Sequence, residues 1–239
     1  VAGFFTLKNL TQRKDYAALL ELPPCFIIGG DWHHYFQPGC RGKLSNGVEY
    51  VINSDGLRER ERSEIGPGAV LLLGDSMVEG KSLPFADTLG QNLERRIGRK
   101  FINAGVRSRG PVVESLQLAA IIDSYKPSFL IWALNENDAD DDRLAYALAE
   151  EHDANGVPTK LNTADFAAVS HLGAFRARYG EFGGLMKMLI HASYEQEVIR
   201  LKQREDAGYK VCGGVERGIA LAVKKKAAPT FCAHGFGIT

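Results

Sequence analysis

The stretch Ala69-Val-Leu-Leu-Leu-Gly-Asp-Ser-Met-Val-Glu-Gly-Lys-Ser82 decides the reading of the fold. Ala69–Leu73 is a continuous apolar run, the pattern of a strand buried on both faces of a parallel sheet. Gly74-Asp75-Ser76 then breaks the run. A strand entering a sharp turn and then a helix exposes the Ser76 hydroxyl at the helix N-terminus, where backbone N–H groups can stabilise an oxyanion. Asp75 or Ser76 acting only as an N-cap explains the same residues without chemistry. The triplet by itself does not choose between the two.

Working outward, the pattern becomes βαβαβ. Phe85–Ile97 reads as a helix with Leu89, Leu93 and Ile97 on one stripe. Phe101–Ala104 is a second strand, Pro111–Tyr125 a helix with proline in its first turn, and Phe129–Leu134 a third strand. This alternation predicts a parallel sheet with right-handed crossovers, whose sites lie beyond the carboxyl ends of the strands. Chemistry is therefore expected after residues 73, 104 and 134. Asn103-Ala104-Gly105 follows the second strand and Asn135-Glu136-Asn137-Asp138 the third. Gly105 serves either as a βα-turn glycine or as an N–H donor at close range. Asn137 serves either as part of a polar capping loop or as an amide donor to the same oxyanion.

The rest of the chain is less regular. Residues 1–60 read as a leader with a short helix near Asp15–Leu22, stopped by Pro23 and Pro24, and a strand over Val48–Asn53. Residues 61–239 form the main domain. The middle reads as mostly helical: Asp138–Glu151 is acidic, Asn155–Pro158 is a loop, and Asn162 or Thr163 caps a helix from Ala164. A helix over Ser193–Ala207, a stop at Gly208 and a strand over Tyr209–Val211 follow.

Lys+Arg and Asp+Glu both number 29. That balance argues against a dedicated nucleic-acid binder, which carries a basic excess. No apolar run approaches the ~18 residues that span a bilayer. The chain starts at Val1 with no basic-then-apolar segment, so any upstream signal or anchor is invisible and the compartment stays open. Cys25, Cys40, Cys212 and Cys232 have scattered spacing without a C-x-x-C pair, so no metal cluster is expected. No cofactor is expected either.

Together the three strand ends resemble the SGNH/GDSL hydrolase family. Gly74-Asp75-Ser76 matches its first block, Gly105 its second, and Asn135-Glu136-Asn137-Asp138 its third, with Asn135 in place of a glycine. Asn53-Ser-Asp-Gly-Leu-Arg58 looks like the segment that precedes the first block in many bacterial members. The resemblance implies a flavodoxin-like three-layer α/β/α sandwich with a mostly parallel sheet. It also implies ester hydrolysis of a small-molecule, carbohydrate or lipid ester, with Ser76 as nucleophile and Gly105 and Asn137 completing the oxyanion hole.

The same resemblance implies an Asp-x-x-His block near the C-terminus, and the chain has none. His234 is the histidine at the expected place, but Phe231 stands three residues before it. The tail from about residue 212 is accordingly expected to be atypical, truncated or frame-shifted. His33 and His34 lie among aromatic residues and, with His152, His171 and His191, are read as structural. Two other functions follow from these features: a catalytically impaired SGNH-type binding module, or nucleotide binding through Gly74–Ser82. The second needs G-x-x-x-x-G-K-[ST], and here five residues separate Gly74 from Gly80.

Overall fold

A computed structural model describes residues 24–30, 32, 34–135, 137–162 and 213–233. Three two-stranded pieces surround a central sheet. Strands β1 (Phe26–Ile28) and β2 (His34–Phe36) pair antiparallel, as do β3 (Arg41–Lys43) and β4 (Glu49–Val51). A disulfide joins Cys25 to Cys40 across 5.7 Å between Cα atoms. It closes the loop that carries β1 and β2, a pairing the scattered spacing did not reveal.

After a one-turn helix α1 (Arg62–Ile65) come β5 (Val70–Leu73), a short helix α2 (Ser76–Glu79) and, past a 3₁₀ turn at Phe85–Asp87, helix α3 (Leu89–Ile97). The crossovers continue with β6 (Phe101–Asn103), α4 (Pro111–Tyr125), β7 (Phe129–Leu134) and α5 (Asp138–Ala147). A hairpin of β8 (Ala149–His152) and β9 (Pro158–Leu161) follows, where the sequence predicted mostly helix. The described chain resumes with α6 (Gly213–Lys224) and β10 (Ala228–Ala233).

The central sheet runs β10-β7-β5-β6, and every adjacent pair is parallel. Numbered by their own sequence order, its strands lie 2-1-3-4, the order of the flavodoxin-like doubly wound fold. Both faces are covered. Leu71, Leu73, Ile102, Leu130 and Trp132 pack with Leu118, Ile121, Ile122 and Tyr125 of α4 and Ala222 of α6. Val70, Leu72 and Phe101 pack on the other side with Val78 of α2 and Leu93 of α3. The chain is therefore an α/β/α sandwich. Burial of Leu71, Leu72 and Leu73 is complete, and each contributes about 2 kcal/mol from apolar surface alone.

One expectation changes. Of the stripe Leu89–Leu93–Ile97 on α3, only Leu93 packs on the sheet, while Leu89 and Ile97 are exposed at 41% and 56%. Gly90 is the buried residue, and a Cβ there would stand 3.3 Å from Leu72, so the helix lies close to the sheet. Residues 213–233 form a helix and a strand that joins the central sheet. Gly214, Gly218 and Ala222, four residues apart, form the buried side of α6. A Cβ on Gly218 would strike the Trp132 ring at 2.1 Å, and one on Gly214 the Pro111 backbone at 2.3 Å. What reads as a break at Gly213-Gly214 is the small face that lets α6 sit against α4 and β7. The predicted helices at 15–22, from 164 and at 193–207, and the strand at 209–211, lie outside the described residues.

The described residues before 60 pack against the same sheet-and-helix body. Asn53 organises the turn predicted over 53–58: its Oδ1 accepts the N–H groups of Asp55 and Leu57, and its amide donates to Tyr125 Oη at 3.0 Å. At the start of α4, Gly110 offers no capping side chain. Asp142 of α5 takes that role, accepting the Val112 N–H at 2.7 Å.

Candidate active site

Gly74 joins β5 to α2 where a Cβ would lie 2.5 Å from Val78 and 3.0 Å from the Ala133 carbonyl oxygen, so glycine is required for space. Asp75 is the N-cap of α2, with Oδ1 accepting the Met77 N–H at 2.8 Å. Ser76 is the first helical residue and is half-buried, while Met77 beside it is 70% exposed. The Ser76 hydroxyl donates to Asp75 Oδ2 at 3.3 Å.

The third strand end meets the first on the same carboxylate. Asn137 Nδ2 donates to Asp75 Oδ2 at 3.4 Å and to Asp141 Oδ2 at 3.1 Å. Its backbone N–H is held by Asn135 Oδ1 at 3.1 Å. Asn135 thus does structural work at the position where the family pattern has glycine. Ser76 and Asn137 are brought together between β5 and β7, the point where strand order reverses and where doubly wound folds bind ligands.

Gly105 lies in the turn after β6. Its N–H donates to Asn103 Oδ1 at 3.0 Å and is not presented as a free donor. Its observed contribution is steric: a Cβ would lie 2.2 Å from the Glu79 nitrogen and 2.6 Å from the Val78 carbonyl carbon. The turn after β6 therefore lies directly on the backbone of α2.

The far end of α2 is locked by charge. Glu79 has no exposed surface. Its carboxylate accepts the Tyr50 hydroxyl at 2.7 Å, the Arg107 N–H at 2.7 Å and the Arg107 guanidinium at 2.5 Å. Arg58 lies over the Tyr50 ring at 4.1 Å and donates to the carbonyls of Glu79, Gly80 and Leu83. Of these, the Glu79 carbonyl is one that a helix C-terminus leaves unpaired. Gly80, with φ of 70°, stops the helix in the left-handed conformation. Burial and the Glu79 charge push the Tyr50 hydroxyl well above its ordinary range. The structure makes the Glu79 carboxylate an anchor for Arg107 and Tyr50. It also makes Gly74–Ser82 a capped helix with the Asp75 carboxylate at its start, which departs from the phosphate-cradling loop of the nucleotide-binding reading.

A second acidic group lies beyond β7. Asp138 Oδ2 accepts the Asn135 N–H at 2.8 Å, and burial raises this carboxyl to about 7 against that hydrogen bond. Burial also raises Asp142 to about 7. Glu114, fully enclosed in α4 and bonded by the Trp132 indole N–H, is raised well above the usual carboxylate range, chiefly by burial and then by Asp138.

Neither described histidine donates to or accepts from Ser76. His34 is buried, stacked on Phe26 with ring centroids 4.6 Å apart, and its Nε2 is 2.7 Å from the Arg107 carbonyl oxygen. His152 is exposed on β8 near Tyr146. His33, His171, His191 and His234 lie outside the described residues. Among the described residues, no group of three or more His, Cys, Asp or Glu side chains is arranged to hold a metal ion, and no helix is long and apolar enough to cross a membrane.

No family model matches the chain, and no curated protein matches it. Among solved structures, AlinE4, described as an SGNH-hydrolase family esterase, and two of its variants are structural neighbours. Each is 17% identical, with 66% of this chain and 94% of that chain covered at a TM-score of 0.29. The structural neighbours are thus SGNH esterases at a distance too great to say more, and the doubly wound fold rests on the strand order itself.

Proposed function

We propose that the chain is a serine ester hydrolase of SGNH type acting on a carboxylic ester. The observation that carries this reading is the meeting of Ser76 and Asn137 on Asp75 at the carboxyl edge of β5 and β7. Ser76 Oγ attacks the carbonyl carbon. The oxyanion that develops is stabilised by the Ser76 N–H, by Asn137 Nδ2 once it leaves Asp75, and by the Gly105 N–H once it leaves Asn103. Each such donor typically contributes a few kcal/mol in the transition state. The tetrahedral intermediate collapses by breaking the ester C–O bond, the alcohol leaves with the serine's proton passed on by the base, and water then releases the acyl group from Ser76 as the carboxylic acid.

The base assigned to the serine proton is His234. In support, β10 runs parallel to β7 with Ala233 opposite Leu134, so its carboxyl end lies at the same edge as Ser76. The residue after Ala233 in the sequence is His234. Two strand spacings separate β10 from β5, roughly 10 Å. The Cys25–Cys40 disulfide favours an oxidising compartment.

Hydrolysis of 4-nitrophenyl acetate tests the proposal. Ser76→Ala is expected to abolish turnover, and Asn137→Ala to lower kcat by about 10²-fold. Turnover that survives Ser76→Ala refutes it. The commitment of the Gly105 N–H to Asn103 favours a second reading, a binding module that keeps the fold without catalysis. An inactive but folded protein that still binds an ester would support it.

A further inference from the structure

A cavity opens beside α4, outside the Ser76 site. It has a volume of 390 Å³ and is walled by Trp32, Tyr35 and Phe36 of the disulfide-closed loop and by Tyr125 of α4. None of Ser76, Gly105 or Asn137 lines it. Exposed Ala120 marks where it meets solvent along α4. The volume falls within the range of small-molecule sites, which are mostly apolar and aromatic with a few placed polar groups.

Arg109 lines this cavity and is 1% exposed. Its Nη1 donates to Gln117 Oε1 at 2.8 Å and its Nη2 to the His34 carbonyl. Both partners are neutral. Nε is buried without a partner, and Trp32 lies against the guanidinium at 5.3 Å. Among the described residues no carboxylate forms an ion pair with Arg109. Glu114 interacts with it electrostatically, but burial holds that carboxyl towards its neutral form. Asp55, the acidic residue of the cavity wall, faces Arg62 at 3.8 Å. Burial pushes Arg109 down to about 9, so it keeps its charge at neutral pH. Folded proteins pair or neutralise buried charges, and an anion completes an arginine of this kind best, since the guanidinium fork matches a carboxylate.

We infer that this cavity binds a small organic carboxylate with a flat, apolar body, the carboxylate on Arg109 and the body among Trp32, Tyr35, Phe36 and Tyr125. This site is independent of the hydrolase reading, because it uses none of that machinery. The disulfide holds the aromatic wall in place and lowers the ordering cost of binding.

Isothermal titration of the full chain with naphthalene-1-carboxylate at millimolar concentrations tests this. One-site saturation is expected, and the neutral isostere naphthalene-1-carboxamide should bind at least about tenfold more weakly, the loss of one charge-assisted contact. Arg109→Gln should weaken the carboxylate to a similar extent, whereas Ser76→Ala should leave it unchanged. Ala120→Trp fills the mouth from an exposed position and should remove binding with thermal unfolding unaltered. It decides the matter even if Arg109→Gln does not fold. No saturation, equal affinity for acid and amide, or undiminished binding in Ala120→Trp overturns the assignment.

Discussion

The two ends of α2 are held in opposite ways, although they are three residues apart. At the N-terminal end, Ser76 is half-buried with one long hydrogen bond to Asp75, and Met77 stands in solvent. At the C-terminal end, Glu79 is enclosed and held by Tyr50 and Arg107, while Arg58 takes the last carbonyls. One turn of helix has no stability of its own, because nucleating it fixes several dihedrals for one hydrogen bond. Its position is imposed by the buried end, which leaves the other end exposed but fixed in direction. A nucleophile needs that combination of access and placement.

Breaking the held end should have the largest effect. Glu79→Ala leaves Arg107 buried without its carboxylate, and urea unfolding should show a loss of about 3–5 kcal/mol. Ser76→Ala, at the open end, should change stability by less than about 0.5 kcal/mol in the same experiment. Similar losses for the two would erase the contrast. Gly105→Ala comes next. Its methyl group must displace the α2 backbone at Val78 and Glu79, at a cost of about 1–3 kcal/mol. Ester turnover should fall further than the fraction unfolded explains, because the displaced helix carries Ser76.

A smaller effect, on pH, sharpens the comparison from the β7 side. Asp138 and Asp142 are held near 7 in the folded chain against about 3.8 when unfolded. Between those values the folded state binds more protons, so their contribution to stability is full below about pH 4 and is lost as pH rises through 7. Glu94, lowered to about 2 mainly by Arg60, acts in the opposite sense, but its contribution is complete above about pH 4.5. The urea midpoint should therefore be higher at pH 5 than at pH 7.5. Asp142→Asn, which keeps an acceptor for the Val112 N–H, should flatten that difference by about 1 kcal/mol or more. An unchanged slope in Asp142→Asn would assign the pH dependence elsewhere.

The central strands and α4 are legible in the sequence because burial on both faces writes itself as an unbroken apolar run, and Pro111 marks a helix start. Ser76 and Asn137 are legible because strand ends fix where loops emerge. Glu79 is not: its partners lie 28 and 29 residues away, and only folding brings Tyr50 and Arg107 to it. The Leu89–Ile97 stripe misleads because Gly90, which has no side chain to register as apolar, makes the close contact. The β8–β9 hairpin was signalled by Asn155-Gly156, a dipeptide favoured in tight hairpins, but short flanking strands rich in charge hid it. In α6 the packing residues are Gly214, Gly218 and Ala222, so the helical period is carried by small size.

The account turns on Ser76 being reactive as well as well placed. Intact-mass measurement after treatment with a fluorophosphonate tests this directly. One adduct on Ser76 is expected, formed in Asn137→Ala at a reduced rate and absent in Ser76→Ala. A folded protein that takes up no adduct, or one that is labelled equally in Ser76→Ala, would contradict the account.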